Sequence, residues 1–164
     1  MSVSHRVGSD HQLARLLQIG IVLEEVVEAR AHHHYQSLDD ESALDPEIEA
    51  LLADAVEESA DHRDRLEALI ADLDAESIPF EDIEALVEAQ YAQTKPEDFD
   101  GVLYDQLCNE ETAYKFYDDL VTAIEESEAR FSVDRTRLLE TLRTIREEEA
   151  AGVEDVTNVM ETRE

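Results

Sequence analysis

The sequence predicts an all-α protein: a four-helix bundle of two antiparallel hairpins joined by a long crossover that contains a short helix. Three observations predict it. Apolar residues recur at helical spacing through four long stretches of the 164-residue chain. Brief polar breaks separate the first stretch from the second and the third from the fourth, whereas residues 75–96 lie between the second and the third. Finally, a pattern of the first stretch returns in the third, as expected of a duplicated hairpin.

Residues 1–8 read as a mobile N-terminal tail and 9–160 as the bundle. From about Ser9, Leu13, Leu17, Ile21, Val27, Ala31, Tyr35 and Leu38 keep helical spacing, which at 1.5 Å per residue makes about 45 Å of helix. Glu24 and Glu28 share that stripe. Asp45-Pro46-Glu47 then supplies an N-cap, a first-turn proline and a first-turn acid for a second helix. Its apolar register is Ile48, Leu52, Ala55, Ser59, His62, Leu66 and Leu69. The short link makes these two helices antiparallel neighbours. Ser77-Ile78-Pro79-Phe80 and Thr94-Lys95-Pro96 bracket a short amphipathic helix over 81–93. A connection of that length spans the bundle and sets helices two and three parallel. The third helix, about 97–128, presents Leu103, Leu107, Glu110, Tyr114, Tyr117, Val121 and Ile124. The fourth, about 133–159, presents Leu138, Leu142, Ile145, Glu149, Gly152 and Val156.

Charge limits the function classes. The chain has 43 Asp plus Glu against 13 Lys plus Arg, a formal net charge of -30. Disorder is the first alternative, but 43% hydrophobic residues in regular spacing oppose it. Adaptation to molar salt accounts for the charge better, because salt screens the repulsion to within about 3 Å at 1 M. The expectation is a cytoplasmic protein of a salt-loving organism. Such a charge opposes binding to nucleic acid and to an anionic membrane surface. No apolar run reaches the roughly 20 residues that span a bilayer, and no secretory signal is visible. The lone cysteine, Cys108, excludes an internal disulfide and a cysteine-rich metal knuckle within this chain. It reads as a small buried apolar group.

The chemistry lies in the stripes. Glu28, Ala31, Tyr35 and Leu38 have the spacing of Glu110, Ala113, Tyr117 and Leu120. Positions three, seven and ten apart share one helix face, so each copy puts a carboxylate into an apolar stripe. Two inward acids with no Lys or Arg in the same register point to a shared cation, since an unpaired buried charge costs several kcal/mol. Helices two and four also match: Glu57-Glu58-Ser59-Ala60-Asp61-His62 aligns with Glu147-Glu148-Glu149-Ala150-Ala151-Gly152.

With these motifs the chain resembles the ferritin-like superfamily of carboxylate-bridged dimetal proteins, rubrerythrins among them. That family takes a Glu from each of helices one and three and a Glu-x-x-His from each of helices two and four. The resemblance implies Glu28 and Glu110 as terminal ligands, with Tyr35 and Tyr117 as their companions; by their own chemistry the two tyrosines read as packing residues whose hydroxyls bond a carboxylate on a neighbouring helix. It implies His62 as the first histidine. This chain departs from the pattern at Ser59, where a glutamate is expected, and at Gly152, where the second histidine is expected. A strict register leaves Glu28, His62, Glu110 and Glu149, a set for one metal. A slipped register adds Glu58 and Glu148, four residues being also one face, and Glu24 can supply a further carboxylate. The oxygen-rich set suits iron or manganese, one or two ions per chain. His32-His33-His34 cannot all face one ion.

The resemblance implies a diiron peroxidase or ferroxidase that handles peroxide, oxygen or iron, forms a homodimer and draws on an external electron donor. The competing expectation is a scaffold with a decayed metal site that acts as a dimeric structural or partner-binding module. A hollow mini-ferritin cage ranks lowest.

Overall fold

The computed structural model describes residues 7–37, 46–74 and 99–162, with side chains described for 7–31, 46–74 and 102–162. It is an all-α four-helix bundle: α1 (Asp10–Ser37), α2 (Pro46–Ala71), α3 (Phe99–Glu126) and α4 (Arg135–Thr162), with no strand among the described residues. The expected short helix over 81–93, the side chains of His32-His33-His34 and the Tyr35 ring lie outside the described residues.

Local chemistry sets the helix ends. Ser9 caps α1, its Oγ accepting from Gln12 N at 3.2 Å, while the Gln12 side chain reaches back to Gly8 N at 2.7 Å. Pro46 opens α2, where its missing N–H costs nothing. Asp134 caps α4 by accepting from Arg137 N at 3.1 Å. Arg135 donates to the carbonyls of Ile124 and Ser127, placing a cation on the exposed carbonyls that end α3.

Contacts are closest between α1 and α2 and between α3 and α4, with α1 also touching α3 and α2 touching α4. One end of the bundle is fixed by hydrogen bonds. Asp10 at the start of α1 accepts from Asp74 N beyond α2 and from Ser132 N ahead of α4, at 3.1 and 3.0 Å. Val7, in the segment expected as a tail, is buried, and its carbonyl accepts from Ser127 Oγ beyond the end of α3 at 2.6 Å.

Two apolar clusters fill the interior. The larger, near that end, contains Leu13, Leu17, Leu66, Leu69, Tyr117, Leu120, Leu138 and Leu142; the smaller contains Ala31, Ile48, Leu52, Leu103 and Val156. Each fully buried leucine contributes about 1.5–3 kcal/mol of transfer free energy. Between the clusters the interior is polar: Glu24, Ser59, His62, Gln106, Glu110 and Glu149 are all buried.

The α2 register matches the burial at every position, Ile48 through Leu69. In α3 the outcome differs. Tyr114 is 37% exposed and Leu107 only half-buried, while Gln106 and Ala113 face inward. Steps of three and four through Leu103, Gln106, Glu110, Ala113 and Tyr117 follow the seam, whereas uniform steps of four drift off it. Cys108 is half-buried rather than a core residue.

Candidate metal centre

Each helix contributes acid to the polar layer, and α2 contributes the one imidazole found there among the described residues. His62 is fully buried one turn beyond Glu58. Its Nδ1 lies 3.2 Å from a Glu24 oxygen on α1 and 3.0 Å from Glu149 Oε1 on α4. On the other side of the ring, Nε2 lies 2.8 Å from Glu148 Oε2 and 3.9 Å from Glu58 Oε1. Burial alone would lower the His62 pKa. The hydrogen bonds to Glu149 and Glu24 override it and raise the ring to about 11, so without a metal it is an imidazolium clamped among carboxylates.

Those carboxylates are themselves crowded out of water. Burial pushes Glu58 up to about 7, helped by the charge of Glu110. It pushes Glu149 to about 7 against the hydrogen bond to His62, and Glu110 to about 9 with Glu149 adding to the rise. Glu24 moves the same way through burial. Glu148 is the exception: burial raises it, but hydrogen bonds from His62 and from Arg65, at 3.1 Å, win and hold it below the usual carboxylate range.

Glu110 occupies the place where the sequence pattern wants a second histidine. Its Oε1 accepts from Gln106 Nε2 at 2.9 Å, while no N–H or hydroxyl reaches Oε2, and the Glu110 and Glu149 carboxyls hydrogen-bond each other while one of them keeps a proton. A Cβ on Gly152 would lie 2.6 Å from Glu110 Oε2. No side chain fits at 152 while Glu110 holds this position. Glycine inside a helix costs about 0.5–1 kcal/mol relative to alanine, and here it admits a carboxylate from α3.

Among the described residues, three groups bring ligating atoms within 4.8 Å of one another: Glu24, His62 and Glu149; Glu58, His62 and Glu148; and Glu58, Glu110 and Glu149. Together they resemble a carboxylate-bridged dimetal site. Glu58, His62, Glu110, Glu148 and Glu149 thus lie together in these groups. Glu28 is not among them. It accepts from Arg63 Nη1 at 2.5 Å, and the same nitrogen donates to Glu25 at 2.6 Å. Glu24, one turn earlier, holds the interior position. Four residues of a 3.6-residue turn leave Glu28 about 40° round the helix, and the cation that claims it, Arg63, is the residue after His62.

The tyrosine expectation also changes. Tyr117 is fully buried, edge-on to Phe116, but its hydroxyl has no hydrogen-bond partner. Burial, then the charges of Glu24 and Glu149, keep its pKa well above 10.

The donor set fits divalent cations. It is rich in carboxylate oxygen, holds one imidazole, and leaves Glu110 and Glu149 with a shared proton that an entering cation would displace. The chain matches no protein-family model, no curated protein and no solved structure. No described helix is long and apolar enough to cross a membrane.

Proposed function

We propose that this protein is a ferritin-like metal-binding protein whose buried carboxylate–histidine layer holds iron or manganese, one or two ions per chain, for peroxide, oxygen or iron handling. The observation that carries the reading is the convergence of Glu24, Glu58, His62, Glu110, Glu148 and Glu149 from four helices onto three overlapping groups with Glu149 shared by two of them. A shared carboxylate is what a bridging ligand requires. The closeness of the start of α1 to the ends of α2 and α3 and to the start of α4 supports the ferritin-like connectivity, with α2 and α3 parallel.

When bound, such a pair of ions supplies redox change and a site for small oxygen species. The chain's own residues do the rest. Glu24 and Glu149 orient the His62 ring through Nδ1, and the apolar clusters above and below bound the layer, which meets solvent at the part-exposed Glu58 and Glu148. The crowded acids give up protons as a cation enters, so binding releases protons to solvent. As an enzyme it would act as a peroxidase or ferroxidase, with electrons from an external donor. Homodimerisation follows from the resemblance to the ferritin-like bundles, and the charge of -30 supports a location in the cytoplasm of a salt-loving organism.

One observation favours a second reading, the scaffold with a decayed site. His62 is already satisfied on both ring nitrogens by carboxylates, so the layer can stand as a metal-free polar core. Chelation separates the two. In molar salt, a metal centre predicts a lower melting temperature after chelation, and Glu149→Ala loses bound metal together with peroxide consumption or ferrous oxidation. A melting temperature that chelation leaves unchanged supports the scaffold.

A further inference from the structure

The three groups are not chemically alike. Glu24, His62 and Glu149 include a nitrogen donor; Glu58, Glu110 and Glu149 offer oxygen only. We infer that Glu58, Glu110 and Glu149 form an oxygen-only subsite, opened by Gly152, for a hard divalent cation of the manganese(II) class, beside a histidine subsite that takes a borderline transition metal. This rests on the metal-centre reading and adds that the two ions differ in kind.

Glu110 carries the argument. It is only 5% exposed, and no N–H or hydroxyl donor reaches its Oε2; the group beside it is a second carboxyl, Glu149, with which it hydrogen-bonds only while one of the two keeps a proton. Two neighbouring buried acids that must share a proton offer a cation both their oxygens once that proton leaves. The nearby guanidinium groups are engaged elsewhere, Arg63 with Glu25 and Glu28 and Arg65 with Asp61 and Glu148. Gly152 makes the arrangement possible, since a Cβ there would fall 2.6 Å from Glu110 Oε2 and 2.9 Å from its Cδ. The same absence removes the nitrogen that a histidine at 152 would bring. Carboxylate oxygen favours manganese, magnesium and calcium, whereas imidazole favours the later transition metals. Replacing imidazole by carboxylate at one of two adjacent subsites therefore splits their preferences.

Cobalt(II), read by visible absorption, and manganese(II), read by electron paramagnetic resonance, test this on the full chain in molar salt. The wild type is expected to take both at once, manganese entering without displacing cobalt. Gly152→Ala is expected to push Glu110 aside. Its manganese affinity should drop by more than the roughly 10–100-fold that losing an outer partner of a ligand costs, while its cobalt spectrum stays. Glu110→Gln, which keeps the volume, should do the same if the alanine variant folds poorly. Glu24→Gln should show the reverse, weakened cobalt and retained manganese. Manganese that only competes with cobalt for one place, or that binds Gly152→Ala and Glu110→Gln as it binds wild type, overturns the subsite and leaves the metal centre standing. A wild type that binds neither ion overturns both.

Discussion

The two halves of the chain begin from similar sequence and end with different interiors. In the first half, Glu24 turns inward to His62, and Glu28 turns aside to Arg63. In the second, the counterpart of Glu24 is Gln106, and Glu110, the counterpart of Glu28, turns inward against Gly152. The difference follows from what stands on the partner helix. Arg63 and Arg65 in α2 correspond to Val153 and Asp155 in α4. Where a half-buried guanidinium is available, the glutamate at this register leaves the seam; where an apolar residue stands instead, it stays inside. An acid's fate on a helix stripe is thus decided one position away on its neighbour.

The largest expected effect comes from removing the imidazolium that the first half places in the buried layer. His62→Ala leaves Glu24 and Glu149 facing each other unpaired, and stripping one partner from a buried ion pair costs about 3–5 kcal/mol. Chemical denaturation of the metal-free protein in molar salt measures it, and a loss below about 1 kcal/mol would mean the imidazolium does not hold the layer together.

pH sharpens the same contrast. Glu58, Glu149 and Glu110 keep protons in the folded protein up to about 7, 7 and 9, where the unfolded chain has released them. Their contribution to stability is full below the ordinary carboxylate pKa and is lost as pH rises through those values. His62 has the same sign, its contribution being full below 6.5 and lost as pH climbs toward 11. Glu148 acts oppositely and weakens the fold only toward acid. The melting temperature of the metal-free protein should therefore fall between about pH 5.5 and 9, and saturating metal should flatten or reverse the trend. A metal-free protein that gains stability across that interval contradicts the proton-loaded layer.

The smallest effect tests the diverted acid. The Arg63 and Glu28 side chains are 23% and 27% exposed, so Arg63→Leu should change stability by no more than about 1 kcal/mol. It should also release Glu28 from its cation, making the first half resemble the second. Tighter metal binding is the expected result, measured by competition with a chelator of known affinity.

The helices were legible in the sequence because buried positions follow a seam, and α2 shows it at each residue from Ile48 to Leu69. The resemblance to a dimetal bundle also led to His62, Glu58, Glu110, Glu148 and Glu149. Glu24 stood there only as a further carboxylate beside Glu28, and choosing between them was a matter of one turn and one neighbour. The α1 seam runs through Leu13, Leu17, Gly20, Glu24, Val27 and Ala31, in steps of four and three, and so selects Glu24 over Glu28. Counting from Ile21 in place of Gly20 blurs that choice. Glycine carries no apolar side chain and so leaves no mark on a hydrophobic pattern, at position 20 or at 152. Nor does a pattern along one helix show Arg63, whose claim on Glu28 exists only once α1 and α2 are packed.

A metal centre and a self-contained polar core differ most plainly in metal content per chain, measured by elemental mass spectrometry on protein purified in molar salt without chelator or affinity tag. Roughly two ions per chain, drawn from iron and manganese, are expected of a metal centre. No transition metal, even after anaerobic incubation with ferrous iron and manganese(II), would make the layer a polar core and nothing more.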